Sequence, residues 1–190
     1  MKARALLAVA IVLAFFVALL AMRRVRDGFS ARDKPTHTEA ALARVMRRWA
    51  APANMRTRTN PVPLTPRVLD AARAHFADHC AACHGNDGKG GDLGKRMYPR
   101  TPDMTLAATQ SLSDGELFSI VENGVRLTGM PSFGDGTSAS ARDSWALVHF
   151  IRHLPKLTTD ELAQMERLNP KSPAEWQRQA DEDAFLKGQR

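Results

Sequence analysis

Two cysteines and a histidine stand within five residues, Cys80-Ala81-Ala82-Cys83-His84, and the chain holds no other cysteine. Two thiols allow one disulfide, and a two-residue gap closes a loop too small to remove much unfolded-state entropy. Cross-linking is therefore a poor account of them. The C-x-x-C-H pattern reads instead as the covalent attachment site of one c-type haem. Thiols about one helical turn apart can add to the two vinyl groups on one porphyrin edge, which brings the next residue's imidazole beneath the iron. A thioredoxin-like redox pair would need a βαβ context, and no β-alternation persists anywhere in this chain. A structural zinc site would need four ligands. No second C-x-x-C supplies them, although His75 and His79 lie four apart just upstream.

Iron held by one histidine takes a sixth ligand or stays open. A methionine thioether favours the reduced iron and raises its potential, as in electron-carrying cytochromes. Met97, Met104, Met130 and Met165 lie downstream of His84. Met130 sits in Gly129-Met130-Pro131-Ser132-Phe133, after a predicted helix, where a turn can present its side chain inward. It is the distal-ligand candidate. Met97 and Met104 read as packing residues or pocket wall, methionine being common core filler. His149 and His153 read as packing or surface residues.

The elements that must position these groups are helical. Thr65-Pro66 caps a helix through Val68, Leu69, Ala72 and Phe76 into Cys80. Residues 84–104 are rich in Gly and Pro without a period, a long loop of the kind that usually has a job. Ser113 and Glu116 form a capping box for a helix carrying Leu117, Ile120 and Val121, which stops at Gly124. A strong helix runs from Ser140 or Ala141 to Leu154, with Trp145, Val148 and Ile151 or Arg152 on one stripe, and Pro155 stops it. Helices over 158–168 and 172–187 follow, the second opening Ser172-Pro173-Ala174-Glu175 and ending at Gly188, with a narrow stripe through Trp176, Ala180 and Ala184. Upstream, Thr36 and Glu39 open an amphipathic helix over 37–50 bearing Leu42, Val45, Met46 and Trp49. Docking of that stripe on the domain and a membrane-surface role are both open. Residues 51–66, with four prolines, read as an extended linker.

In order, CAACHG, SLSDGELFSIVENG, GMPSF and a final WALVHFIRHL helix resemble a monohaem class I cytochrome c over about residues 66–155. The resemblance implies an all-α fold around one covalent haem c, with thioether links at Cys80 and Cys83, His84 as proximal ligand and Met130 as distal ligand. It implies crossing first and last helices, here 67–80 and 140–154, with Phe76 and Trp145 near the crossing. The family's usual glycine eight residues before the first cysteine is Ala72 here, which would widen that crossing slightly. A loop proline carbonyl, of Pro99 or Pro102, would orient the proximal imidazole. The implied function is electron transfer between redox partner proteins in a respiratory chain, by a carrier that is not itself an enzyme but can be a subunit of one. A haem-based gas sensor and the haem subunit of a larger oxidoreductase are the alternatives.

Residues 1–4 form a short basic tip, and Ala5 to Met22 are uncharged. Eighteen residues at 1.5 Å each give roughly 27 Å of helix, enough to cross a bilayer core. No small-x-small site ends the run, so it reads as an uncleaved anchor ahead of a removed signal peptide. Residues 1–70 carry 13 Lys/Arg against 4 Asp/Glu, and residues 71–190 carry 14 against 16. The positive excess is confined to the N-terminal arm, where no base-stacking platform of aromatic residues accompanies the arginines, which argues for an anionic surface and against nucleic acid. Counting positive charge would keep the C-terminal bulk in the cytoplasm. Haem attachment outside the cytoplasmic membrane, which the resemblance implies, places the haem domain in the periplasm instead. The expected organisation is an anchor at 5–22, a basic helix and Pro-rich linker at 23–65, the cytochrome domain at 66–155 and a helical extension at 156–190.

Overall fold

Capping residues fix where most of the helices begin. In the computed structural model, which describes residues 2–28 and 30–187, ten α-helices and no strand occur among the described residues. The chain separates into two compact units, one up to Pro35 and one from Thr36 onward. The first unit is dominated by α1 (Lys2–Asp27), which is long and apolar enough to cross a membrane, as an anchor or as a signal sequence.

In the second unit, α2 (His37–Ala50) opens on the Thr36–Glu39 capping box. Next come α3 (Pro66–His75), a π-helical turn (Phe76–Cys80) and α4 (Ala81–His84). Two single-turn helices, α5 (Asp92–Lys95) and α6 (Ala107–Gln110), lie in the stretch read as loop or left unassigned. α7 (Asp114–Asn123) carries the Ser113–Glu116 capping box and ends at Gly124. α8 (Ser138–His153) starts two residues before the expected position, because the Thr137 hydroxyl accepts from the Ser140 amide (3.1 Å) and so makes Thr137 the cap. α9 (Thr159–Leu168) and α10 (Pro173–Leu186) open on capping boxes at Thr158 and Ser172. The Trp176 side chain and Gly188, used above to read α10, lie outside the described residues.

The core forms where α3 and α7 pack against α8. Phe76 and Phe150 meet at 5.0 Å between ring centroids, with buried Ala72, Val148 and Leu147 around them. The Trp145 ring stacks on Phe118 of α7 at 4.1 Å and 12°. Such offset aromatic pairs contribute about 0.5–1.5 kcal/mol beyond the area they bury. Ile151 is buried, and its neighbour Arg152 reaches sideways. The Arg152 guanidinium donates to Asp114 Oδ1 (2.9 Å) and to the Gln110 (2.6 Å) and Leu112 carbonyls, locking the end of α8 to the start of α7.

Residues 51–65 are a packed strap rather than a free linker. Ala51 and Met55 are buried, and Arg58 lies 5.9 Å from the Trp145 ring centroid. Asn60 donates to the Trp145 carbonyl (2.8 Å), and the Val62 carbonyl meets His149 Nε2 at 2.7 Å. Proline had suggested extension, and the strap is indeed mostly non-helical. Its apolar residues are nonetheless needed to finish the core.

Candidate haem site

Cys80, Cys83 and His84 lie on consecutive turns of helix, but not on a uniform one. The π-type turn over Phe76–Cys80 feeds directly into α4. π-turns carry no sequence signature and recur at functional sites. Gly85 then ends α4 with φ +72°, a conformation that glycine adopts without steric cost.

The loop that follows folds back onto this turn and takes up its free carbonyls. The Gly90 amide donates to the His84 carbonyl (2.7 Å) and the Gly91 amide to the Cys83 carbonyl (2.9 Å). The Thr101 hydroxyl also donates to the Cys83 carbonyl (3.1 Å). The approach is so close that a Cβ on Gly94 would stand 2.0 Å from the Cys83 oxygen, and one on Gly91 2.9 Å from the Ala82 oxygen. A carbonyl at the end of a helix must find a partner, and here the glycine-rich loop provides them. The density of glycine over residues 85–94 was the only signal of this clamp in the sequence.

A second support comes from α9. Met165 is fully buried, and the Asn169 amide, oriented to satisfy both groups, donates to the Ala77 carbonyl in the π-turn (3.0 Å) and pairs with Asn86. The region beyond residue 155 therefore backs the attachment turn, at least through Asn169.

Both cysteines are free and half-buried. Burial, followed by the neighbouring Cys83, pushes the Cys80 thiol up to about 12. A dithiol redox centre needs a depressed thiol, so this environment is wrong for one. Among the described residues no group of three or more His, Cys, Asp or Glu is placed to hold a metal ion. His75 and His79 pack ring to ring at 4.8 Å.

Burial holds the His84 imidazole below the usual histidine value, so it is neutral at physiological pH. Its Nδ1 is buried with no hydrogen-bond partner. Neither the Pro99 nor the Pro102 carbonyl takes that nitrogen, contrary to expectation. A desolvated imidazole beside two half-buried thiols on one turn is a donor set that fits a thioether-linked haem.

Met130 is held from the other side of the sequence. Gly124 has φ +67°, and a Cβ there would meet the Pro131 carbonyl at 2.7 Å. The Val125 amide donates to the Met130 carbonyl (3.2 Å), and the Met130 amide donates to the Thr128 hydroxyl (3.1 Å). Phe133 and Gly134 amides return to the carbonyls of Val121 and Glu122 at 3.2 and 2.9 Å. The loop is thus stitched to the end of α7, with the Met130 side chain half-buried. Met97 lies against it: a Cβ on Gly129 would be 2.8 Å from the Met97 sulfur. Met104 and Met165 belong to the core. His149 and His153 engage Val62 and Glu161 as packing residues.

Residues 67–151 match the family model described as cytochrome C oxidase, cbb3-type, subunit III. No curated protein matches the chain. The matched segment contains the attachment turn, the clamp, the Met130 loop and most of the α3–α8 packing. The all-α segment 67–151 is thus similar to the cytochrome c domain of the cbb3-type oxidase subunit III family, a likeness that points to haem-based electron transfer.

Proposed function

We propose that this chain is a membrane-anchored, periplasm-facing carrier of single electrons in a respiratory chain, with one haem c. Cys80 and Cys83 provide the thioether sulfurs, His84 the proximal nitrogen and Met130 the distal sulfur. The bound haem supplies a one-electron Fe(III)/Fe(II) couple. The residues do the rest. The loop amides at Gly90 and Gly91 hold the attachment turn still, and burial keeps His84 unprotonated and ready to ligate. The stitched loop presents Met130 in a fixed place, so that redox change requires little movement. The observation that carries the reading is His84 Nδ1, buried without a partner on a backbone-clamped C-x-x-C-H turn.

α1 serves as the anchor with its N-terminus in the cytoplasm. The arginines after it oppose that orientation, and the need to attach haem outside the membrane outweighs them. The family name supports a second reading at the level of assembly: the chain works as the haem subunit of a membrane oxidase complex rather than as a diffusing carrier.

Optical spectra of the haem-loaded protein test the ligand set. The oxidised protein is expected to show the far-red band of Met–iron ligation. That band should vanish in Met130→Ala and survive in Met97→Ala and Met104→Ala, and the reduced wild type should not react with CO. Loss of the band at Met97 instead would move the distal ligand there. Ready CO binding by the wild type would favour the gas-sensor reading.

A further inference from the structure

α2 is attached to the rest of its unit by the side opposite its apolar stripe. At 100° per residue, Leu42, Val45, Met46 and Trp49 fall within a sector of about 100°. Ala40 and Arg47, the half-buried positions of α2 among its described side chains, lie about 160° from the centre of that sector. The Arg47 guanidinium donates to the Ala108 carbonyl of α6 (2.8 Å). The stripe itself faces outward, with Leu42 59 %, Val45 42 %, Met46 41 % and Trp49 73 % exposed. An amphipathic helix that turns its polar side to its own domain and its apolar side away is built to meet something else.

The surrounding charge selects the occupant. Residues 23–50 carry eight Lys/Arg against three Asp/Glu, whereas residues 71–190 have a slight acidic excess. The basic segment begins where the apolar part of α1 ends, and nine residues separate α1 from α2. A tryptophan beside aliphatic residues on one face, with arginines on the other faces and a basic segment just upstream, is the composition of a helix lying in a lipid headgroup layer. Anionic phospholipid is attracted by such a cluster.

We propose that α2 is a second, surface-lying membrane contact: its Leu42–Val45–Met46–Trp49 stripe enters the headgroup–acyl boundary of an anionic bilayer. The Arg47 side then carries the cytochrome domain, so the domain presents a defined side to the membrane instead of tumbling on a tether. This rests on the reading of α1 as a retained anchor in the same membrane.

The experiment uses the full-length, haem-loaded chain in bacterial inner membranes, with photoreactive benzoylphenylalanine replacing Trp49 or, as a control on the other side of the helix, Arg44. Irradiation should give a phospholipid adduct at position 49, seen as a mass increment on the 37–50 region, and at least fivefold less at position 44. The double variant Leu42→Glu/Met46→Glu should reduce the adduct at 49 to the level at 44 while leaving the haem spectrum unchanged. An adduct at 49 to another polypeptide would assign the stripe to a protein partner and overturn the proposal. No adduct, or equal lipid adducts at 49 and 44, would overturn it as well. The anchor is scored separately, by alkaline carbonate extraction and the mass of the mature N-terminus. Release of a shortened chain would defeat the anchor alone, and a retained anchor with no adduct at 49 would defeat the α2 contact alone.

Discussion

Cys83 illustrates how much of a site depends on residues with no chemistry of their own. Its carbonyl receives the Gly91 amide and the Thr101 hydroxyl, and Gly94 leaves no room there for a side chain. Gly94→Ala would push a methyl group against backbone that cannot yield. We expect a loss of about 3 kcal/mol, the upper range for overpacking a tight site, in guanidinium unfolding of the haem-loaded protein. The yield of covalently attached haem should fall with it, because the attachment turn is what the clamp positions. An unfolding midpoint within error of wild type would mean that the loop does not bear on the turn. The residues proposed to hold the haem could be named from the sequence because attachment imposes a spacing. The clamp was not, since a glycine's role depends wholly on which backbone approaches it. The environment of His84 Nδ1 was illegible for the same reason: two prolines fitted the expected pattern and neither carbonyl makes the bond.

At the scale of elements, capping made the starts readable. Ser113, Thr158 and Ser172 each pair with a glutamate three residues on, and each opens its helix as expected. The π-turn before Cys80 and the packing of α9 behind it were not readable, because they depend on contacts between residues some 90 positions apart. Glu161 joins those levels. It closes the Thr158 capping box, pairs with Arg73 of α3 at 3.3 Å and meets His153 Nε2 at 2.8 Å. Burial alone would push its carboxyl up. The Thr158 amide and hydroxyl and the His153 imidazole outweigh that and hold it below the ordinary value of 4.5. A carboxyl that is more acidic in the folded state stabilises the fold above its unfolded pKa and loses that contribution as pH falls through its folded value. Thermal unfolding should therefore show Glu161→Gln less stable than wild type by about 1–2 kcal/mol at pH 7. The gap should close as the pH drops below about 4.5, where the wild-type carboxyl takes up its proton. A gap that stayed constant down to pH 3 would count against the ionised form being what matters.

For the whole molecule, the division at Pro35 and the burial of Met55 make opposing statements about two possible truncations. A chain starting at Thr36, exported behind a foreign signal sequence, should fold, attach haem and unfold within about 0.5 kcal/mol of the full-length protein, as expected when no feature of the folded unit is removed. A chain starting at Pro66 should lose about 3 kcal/mol or more, since it leaves the Met55 site empty and exposes Trp145 where Arg58 and Asn60 now cover it. Equal stability of the two shortened chains, measured by the same guanidinium titration, would show that the strap is dispensable. The charge split between arm and domain, and the apolar run within α1, were visible in composition alone. That the proline-rich stretch belongs to the folded body was not, because four prolines argue for extension and say nothing of what lies beneath them.

The strap also bears on how such modules can be exchanged between proteins. The part with a family likeness, 67–151, is smaller than the part that holds together, which reaches back to Ala51 and forward to Asn169. A graft cut at the edges of the likeness would carry the proposed haem motifs into a new host without the hem and the backing that keep them in shape. Successful recombination, in the laboratory or in evolution, has to move the longer piece or replace both margins with something of equal fit.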